Sequence, residues 1–131
     1  MRKPLLLAFA VSTFAQGHAQ QIVNFPAADL VLGQANFTSG NAAITPTASN
    51  LEEMSAVVID PTSGKVFVAD TGNSRVLRYP DKDTLMNGAA AEYVFGQANF
   101  TSALSSDPPS ATSTNSPVGL ALDGSGNLWV S

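Results

Sequence analysis

Between residues 56 and 97 short apolar runs alternate with clusters of turn-forming residues, at the spacing of strands rather than helices. Residues 56–60 are a continuous apolar run ending at Asp60, which predicts a strand buried on both faces. Residues 61–65 are turn chemistry: Pro61 fixes φ and Gly64 permits a positive φ. Residues 66–69 form a second apolar run, and residues 70–74 a second turn. Residues 75–79 then alternate polar with apolar side chains, like a strand with one face on a core, and residues 92–96 supply a fourth strand. The expectation is four antiparallel strands joined by short turns. Residues 35–50 and 98–116 are rich in Ser, Thr, Asn and Pro without an apolar period, so both are predicted to be long loops.

The pattern recurs. The segment Val31-Leu-Gly-Gln-Ala-Asn-Phe-Thr-Ser39 returns sixty-three residues later as Val94-Phe-Gly-Gln-Ala-Asn-Phe-Thr-Ser102, changed only at Leu32 and Phe95. Val57-Val-Ile-Asp60 is matched at the same spacing by the apolar run that ends at Asp123. Two blocks in one register make an internal duplication, and a fixed period marks a repeat architecture. Four-stranded antiparallel units in tandem predict an all-β fold of β-propeller blades. Residues 55–97 would be the first blade, 117–131 the start of a second, and 29–34 a leading outer strand that closes another blade.

The first nineteen residues follow a different rule. Basic Arg2 and Lys3, an apolar run over residues 5–15 and a small-x-small exit at Gly17-His18-Ala19 make a secretory signal, cut after Ala19. The apolar run is eleven residues, against roughly 20 for a bilayer span. The expected location is therefore secreted or periplasmic, with residues 20–131 as the mature domain and no membrane span. Cysteine is absent, so no disulfide staples the fold. Beyond the signal, four basic residues face ten acidic ones, a balance that disfavours nucleic acid as a partner.

The run Val66-Phe-Val-Ala-Asp-Thr-Gly-Asn-Ser-Arg-Val-Leu-Arg-Tyr79 resembles the hallmark of NHL repeats: a strand ending in Ala-Asp, a Gly-Asn turn, then Arg-Val on the return strand. Pro117-Val-Gly-Leu-Ala-Leu-Asp123, followed by Gly126-Asn-Leu-Trp-Val-Ser131, resembles the opening half of the next repeat. The resemblance covers residues 29–131 and implies a propeller, commonly of six blades. Three features depart from it. Met54 and Ala56 stand where the second copy has Pro117 and Gly119. The period exceeds a usual blade of about 40–50 residues. Ser131 aligns with Ala69, one residue before the expected Asp, so the chain reads as a truncated propeller.

Asp60, Asp70, Gly72, Asn73, Arg75 and Asp123 are the polar and glycine residues of the repeat motif, and each is expected to serve structure. A carboxylate beside a Gly-Asn turn accepts backbone N–H groups, and an arginine on the return strand bridges neighbouring blades. Asp123-Gly-Ser-Gly-Asn127 is faintly like the start of a calcium loop but lacks the closing glutamate, so a hairpin turn is favoured. Asp81 and Asp83 read as a solvated turn, as do Glu52 and Glu53. Asn36-Phe-Thr38 and Asn99-Phe-Thr101 are sequons that belong to the duplicated block, with Phe37 and Phe100 pinning their loops. Trp129 aligns with Phe67 and is expected in a core.

With no Cys, and with its only His at position 18, the mature chain offers no nucleophile and base pair. No catalytic, cofactor-binding or metal-binding residue is expected. The favoured function is a non-catalytic binding scaffold for a protein or a glycan, with self-association through open blade edges. The resemblance also implies an alternative: some related six-bladed propellers are lactonases or amidating lyases with a divalent metal on the axis, held mostly by blades outside this chain.

Overall fold

The computed structural model describes residues 27–40, 45–105, 108 and 110–131. The expected signal over residues 1–19 lies outside them. The fold is all-β, with two antiparallel sheets and two single 3₁₀ turns. β1 (Met54–Ile59), β2 (Lys65–Asp70), β3 (Arg75–Asp81) and β4 (Tyr93–Phe95) form one sheet in the order β1-β2-β3-β4. β5 (Leu120–Leu122) and β6 (Leu128–Val130) form a second, two-stranded sheet. Among the described residues neither sheet closes on itself.

The alternation along each strand decides which face is core. Val68 pairs with Val57 on one side and Leu77 on the other, and Leu77 pairs with Val94, so four apolar side chains line one face at this level. That face is buried through Val66, Val68, Leu77 and Tyr79, and Leu32, Leu51, Leu85 and Phe100 from the connecting segments cover it. The opposite face carries Phe67, Arg78, Tyr93 and Phe95. There Phe67 and Phe95 lie 6.3 Å apart and Tyr93 and Phe95 lie 4.8 Å apart, between ring centroids.

The turns follow the chemistry of their residues. Gly64 takes φ +70° and its N–H donates to Asp60 O at 2.8 Å, closing β1 onto β2. Gly126 takes φ +81° and closes β5 onto β6 around Asp123 in the same way, with its N–H on Asp123 O at 3.0 Å. β5 lies beside β1 and β2. The two sheets are tied at one carbonyl, Pro117 O, which accepts from Thr71 Oγ1 at 2.7 Å and from Ser55 Oγ at 3.2 Å.

Two expectations are corrected. Residues 29–34 form no strand. The backbone of Val31 is satisfied by the 86–88 turn, donating to Asn87 Oδ1 at 2.9 Å and accepting from Gly88 N at 3.0 Å. Gly33 then turns the chain away at φ +83°. Trp129 is not core but 64 % exposed, and among the described residues no strand pairs with β6 on the side away from β5.

Candidate functional site

Arg75 opens β3 directly opposite Asp70, the last residue of β2, and the 3₁₀ turn Thr71–Asn73 between them brings a third polar group inward. Both charged side chains are wholly buried, with Arg75 Nε 2.6 Å from Asp70 Oδ2. Asn73 Nδ2 donates to the same oxygen at 3.0 Å, and Glu52 N–H donates to Oδ1 at 2.6 Å. The rest of the guanidinium reaches backbone carbonyls: Nη1 donates to Phe100 O at 2.5 Å, and Nη2 to Thr47 O at 2.9 Å and Asn50 O at 3.0 Å. A buried ion pair persists only when its remaining donors and acceptors are matched, and here both carboxylate oxygens and three guanidinium nitrogens are. Asp70 and Arg75 therefore fasten the two long loops onto the first sheet.

Gly72 serves close approach. Its N–H donates to Glu52 O at 2.9 Å, and a Cβ on it would stand 2.9 Å from that oxygen. Ser74 follows in the left-handed region at φ +50°, and its carbonyl accepts from Gln97 Nε2 at 2.9 Å and Thr114 Oγ1 at 2.7 Å. Beneath this cluster the Tyr79 hydroxyl is buried with no hydrogen-bond partner among the described residues. Burial first, and the nearby Asp70 carboxylate second, hold its proton on well above the usual phenol range.

Asp60 and Asp123 cap their hairpins. Asp60 accepts from the Ser63 hydroxyl and from Thr62 N–H, the latter at 2.9 Å, and its pKa is lowered by the Ser63 bond first and the Thr62 bond second. Asp123 Oδ1 accepts from the backbone of Ser125 and Asn127, each at 2.9 Å. Its Oδ2 accepts from Asn127 Nδ2 at 2.9 Å and Trp129 Nε1 at 3.1 Å. The Asn127 side chain and backbone, then the indole, pull the carboxyl down to about 2. Both oxygens already have donors from the loop itself, which is the arrangement of a turn. Asp81 caps the 3₁₀ turn Lys82–Thr84, accepting from Asp83 N–H at 3.0 Å.

On the exposed face Glu92 bridges Lys65 at 2.7 Å and Arg78 at 2.9 Å, and its carboxyl is lowered chiefly by the Lys65 hydrogen bond. An open groove of about 670 Å³ runs beside residues 29–32 and 82–87, with Leu32, Ile59, Leu85 and Met86 in its walls. Lys82 and Asp83 at its rim are paired with each other at 2.6 Å. Among the described residues no group of three His, Cys, Asp or Glu side chains is placed to hold a metal ion. No helix among them is long and apolar enough to cross a membrane.

The repeat is deeper in the structure than in the sequence. Asn36 and Asn99 fold the same turn: their Oδ1 atoms accept from the N–H of Thr38 and Thr101 at 2.9 Å, and from the two threonine hydroxyls at 2.7 and 2.8 Å. Gly33 and Gly96 match at φ +83° and +81°, and Glu53 and Ser116 both take left-handed backbone at +51° and +46°. Within the dissimilar loops, Thr47 N–H donates to Asn50 Oδ1 at 2.8 Å, and Ser110 N–H donates to Ser113 Oγ at 2.8 Å. Each of these pairs is sixty-three residues apart. Sequence reasoning missed the loop and left-handed pairs because Thr-Asn and Ser-Ser share no identity. The signal available was only that small polar residues recur at turn spacing.

No known protein family, no curated protein and no solved structure matches the chain.

Proposed function

We propose that the chain is part of an exported repeat scaffold of the NHL-propeller kind, which acts by presenting loops to a protein or glycan partner and not by catalysis. The observation that carries the reading is the sixty-three-residue period, repeated in backbone conformation at Gly33 and Gly96 and at Glu53 and Ser116 as well as in sequence. Each unit is one inner hairpin with a long polar loop before it, and stacking such units buries faces that a single unit leaves bare.

The motif residues support a structural role. Asp60, Asp70, Asn73, Arg75 and Asp123 all make hydrogen bonds within their own turns or to the long loops. That leaves the loops themselves, rich in Ser, Thr and Asn, as the presenting surface, held from below by Arg75. The open sheet edges add self-association as a second mode of contact. No cofactor is part of this reading.

Thermal melts of the whole propeller, including the blades that would carry the axial ligands, with calcium, magnesium and zinc separate this scaffold from the propeller enzymes with an axial metal. The expected result is an unchanged melting temperature at millimolar ion. A midpoint that climbs with ion concentration, as ligand linkage requires, would overturn the non-catalytic reading.

A further inference from the structure

We infer that Asn87 is a site of spontaneous covalent modification held back by the docking of Val31, so that a chain whose 29–34 segment has lifted converts there to an isoaspartyl link and loses the seat for that segment.

Asn87 is the only asparagine in the chain followed by glycine. With no side chain on its Cα, the glycine leaves its own nitrogen open to approach the asparagine amide. The step is internal. Gly88 N gives its proton to water and bonds to Asn87 Cγ, the Cγ–Nδ2 bond breaks, and ammonia leaves with a proton returned by water. A further water then opens the cyclic imide. Opening at Cγ gives aspartate; opening at the main-chain carbonyl of residue 87 gives isoaspartate, whose main chain runs through Cβ and Cγ.

Val31 holds both groups that react. Its N–H donates to Asn87 Oδ1 at 2.9 Å, and Gly88 N–H donates to its carbonyl at 3.0 Å. Attack must turn the amide toward Gly88 N and strip that nitrogen of its proton, so both bonds have to open first. The turn over 86–89, closed by Ala89 N–H on Met86 O at 3.0 Å, adds a further restraint. The fold also excludes a less reactive pair. Gly88 takes φ +71°, and a Cβ on it would stand 3.0 Å from Ala35 Cα. The glycine that makes the pair labile is therefore the one that lets the neighbouring segment approach. Asn87 itself is exposed, so water reaches the imide once it forms.

The two products differ in consequence. Aspartate keeps an oxygen for Val31 N–H. Isoaspartate adds a carbon to the main chain inside a tight turn, so the acceptor at residue 87 and the N–H of Gly88 no longer meet the two groups of Val31 together. The conversion runs one way, and lifted chains accumulate with age.

The full chain and a synthetic peptide of residues 83–92 are incubated side by side in mildly alkaline buffer and mapped by mass spectrometry, with the aspartyl and isoaspartyl forms separated by chromatography. Both are expected to convert at Asn87, the folded chain about tenfold or more slowly, the scale of two intact hydrogen bonds. Val31→Pro removes the N–H donor and should bring the chain most of the way to the rate of the peptide, while NMR contacts between Val68 and Leu77 show the first sheet still formed. In aged wild-type chain, hydrogen exchange at Val31 N–H should quicken in proportion to the isoaspartyl fraction and not the aspartyl one, with Val68 and Leu77 unchanged. Equal rates in folded chain and peptide overturn the proposal, as does a folded chain that yields no product over many lifetimes of the peptide. So does an isoaspartyl chain in which Val31 stays protected. These outcomes are read on the wild-type chain, so they decide the matter even where Val31→Pro does not fold.

Discussion

Arg75 is the residue on which most of the molecule converges, because one guanidinium joins a strand end, a turn and two loops. Removing it leaves the Asp70 carboxylate charged, buried and short of its strongest partner. Arg75→Ala is therefore expected to cost about 3–5 kcal/mol, the range for breaking one side of a buried pair, measured by urea denaturation. The double variant with Asp70→Ala should cost less than the sum of the two single changes, since the second removal relieves the stranded charge. The sequence marked Asp70, Asn73 and Arg75 as structural residues of a repeat motif around a tight turn, without pairing the arginine to Asp70. It did not reveal that the arginine's remaining donors go to Thr47, Asn50 and Phe100, because backbone carbonyls of distant loops carry no residue signature.

At the scale of elements, the β5–β6 hairpin is governed by one carboxylate. The Asp123 carboxyl is held down at about 2 by Asn127 and Trp129, below its ordinary 3.8. A depressed acid contributes stability above its unfolded pKa and loses it as pH falls toward the folded one. The hairpin should therefore be intact above pH 4 and loosen between pH 4 and 2, read as a change in Trp129 emission as its Nε1 partner is protonated. Asp123→Asn should flatten that profile. The hairpins themselves were legible from apolar runs and Gly-containing turns, and the strands β1 to β4 fall where the pattern placed them. Residues 29–34 were misread because an apolar run does not reveal whether its backbone partner is another strand or a turn such as 86–88. Trp129 was misread because alignment to Phe67 transfers a position in a unit, not the neighbour that covers it.

For the molecule as a whole, equivalent positions in the two copies should respond alike. A Cβ on Gly33 would meet Leu51 Cβ at 2.9 Å, and one on Gly96 would run first into the Thr114 hydroxyl, closer still, and then into its Cγ2 at 2.9 Å, with both glycines at positive φ. Leu51 and Thr114 are themselves one period apart. Gly33→Ala and Gly96→Ala are each expected to destabilise by about 1–2 kcal/mol from the backbone alone, with crowding added. Calorimetry that finds one harmless and the other severe would break the equivalence of the copies.

The turn built by Asn36 and Asn99 has an evolutionary corollary. Its hydrogen bonds begin and end within a few residues, so the stretch carries its own shape into whatever surroundings a copying event places it. A gene segment of this kind is portable: duplication transmits the geometry at once, without waiting for compensating changes elsewhere. The single divergence in the copied nine residues lies outside that closed set of bonds, at Leu32 and Phe95. There one copy packs on the core and the other beside Phe67 and Tyr93. Drift has been free where the neighbourhood differs and held where the segment refers only to itself.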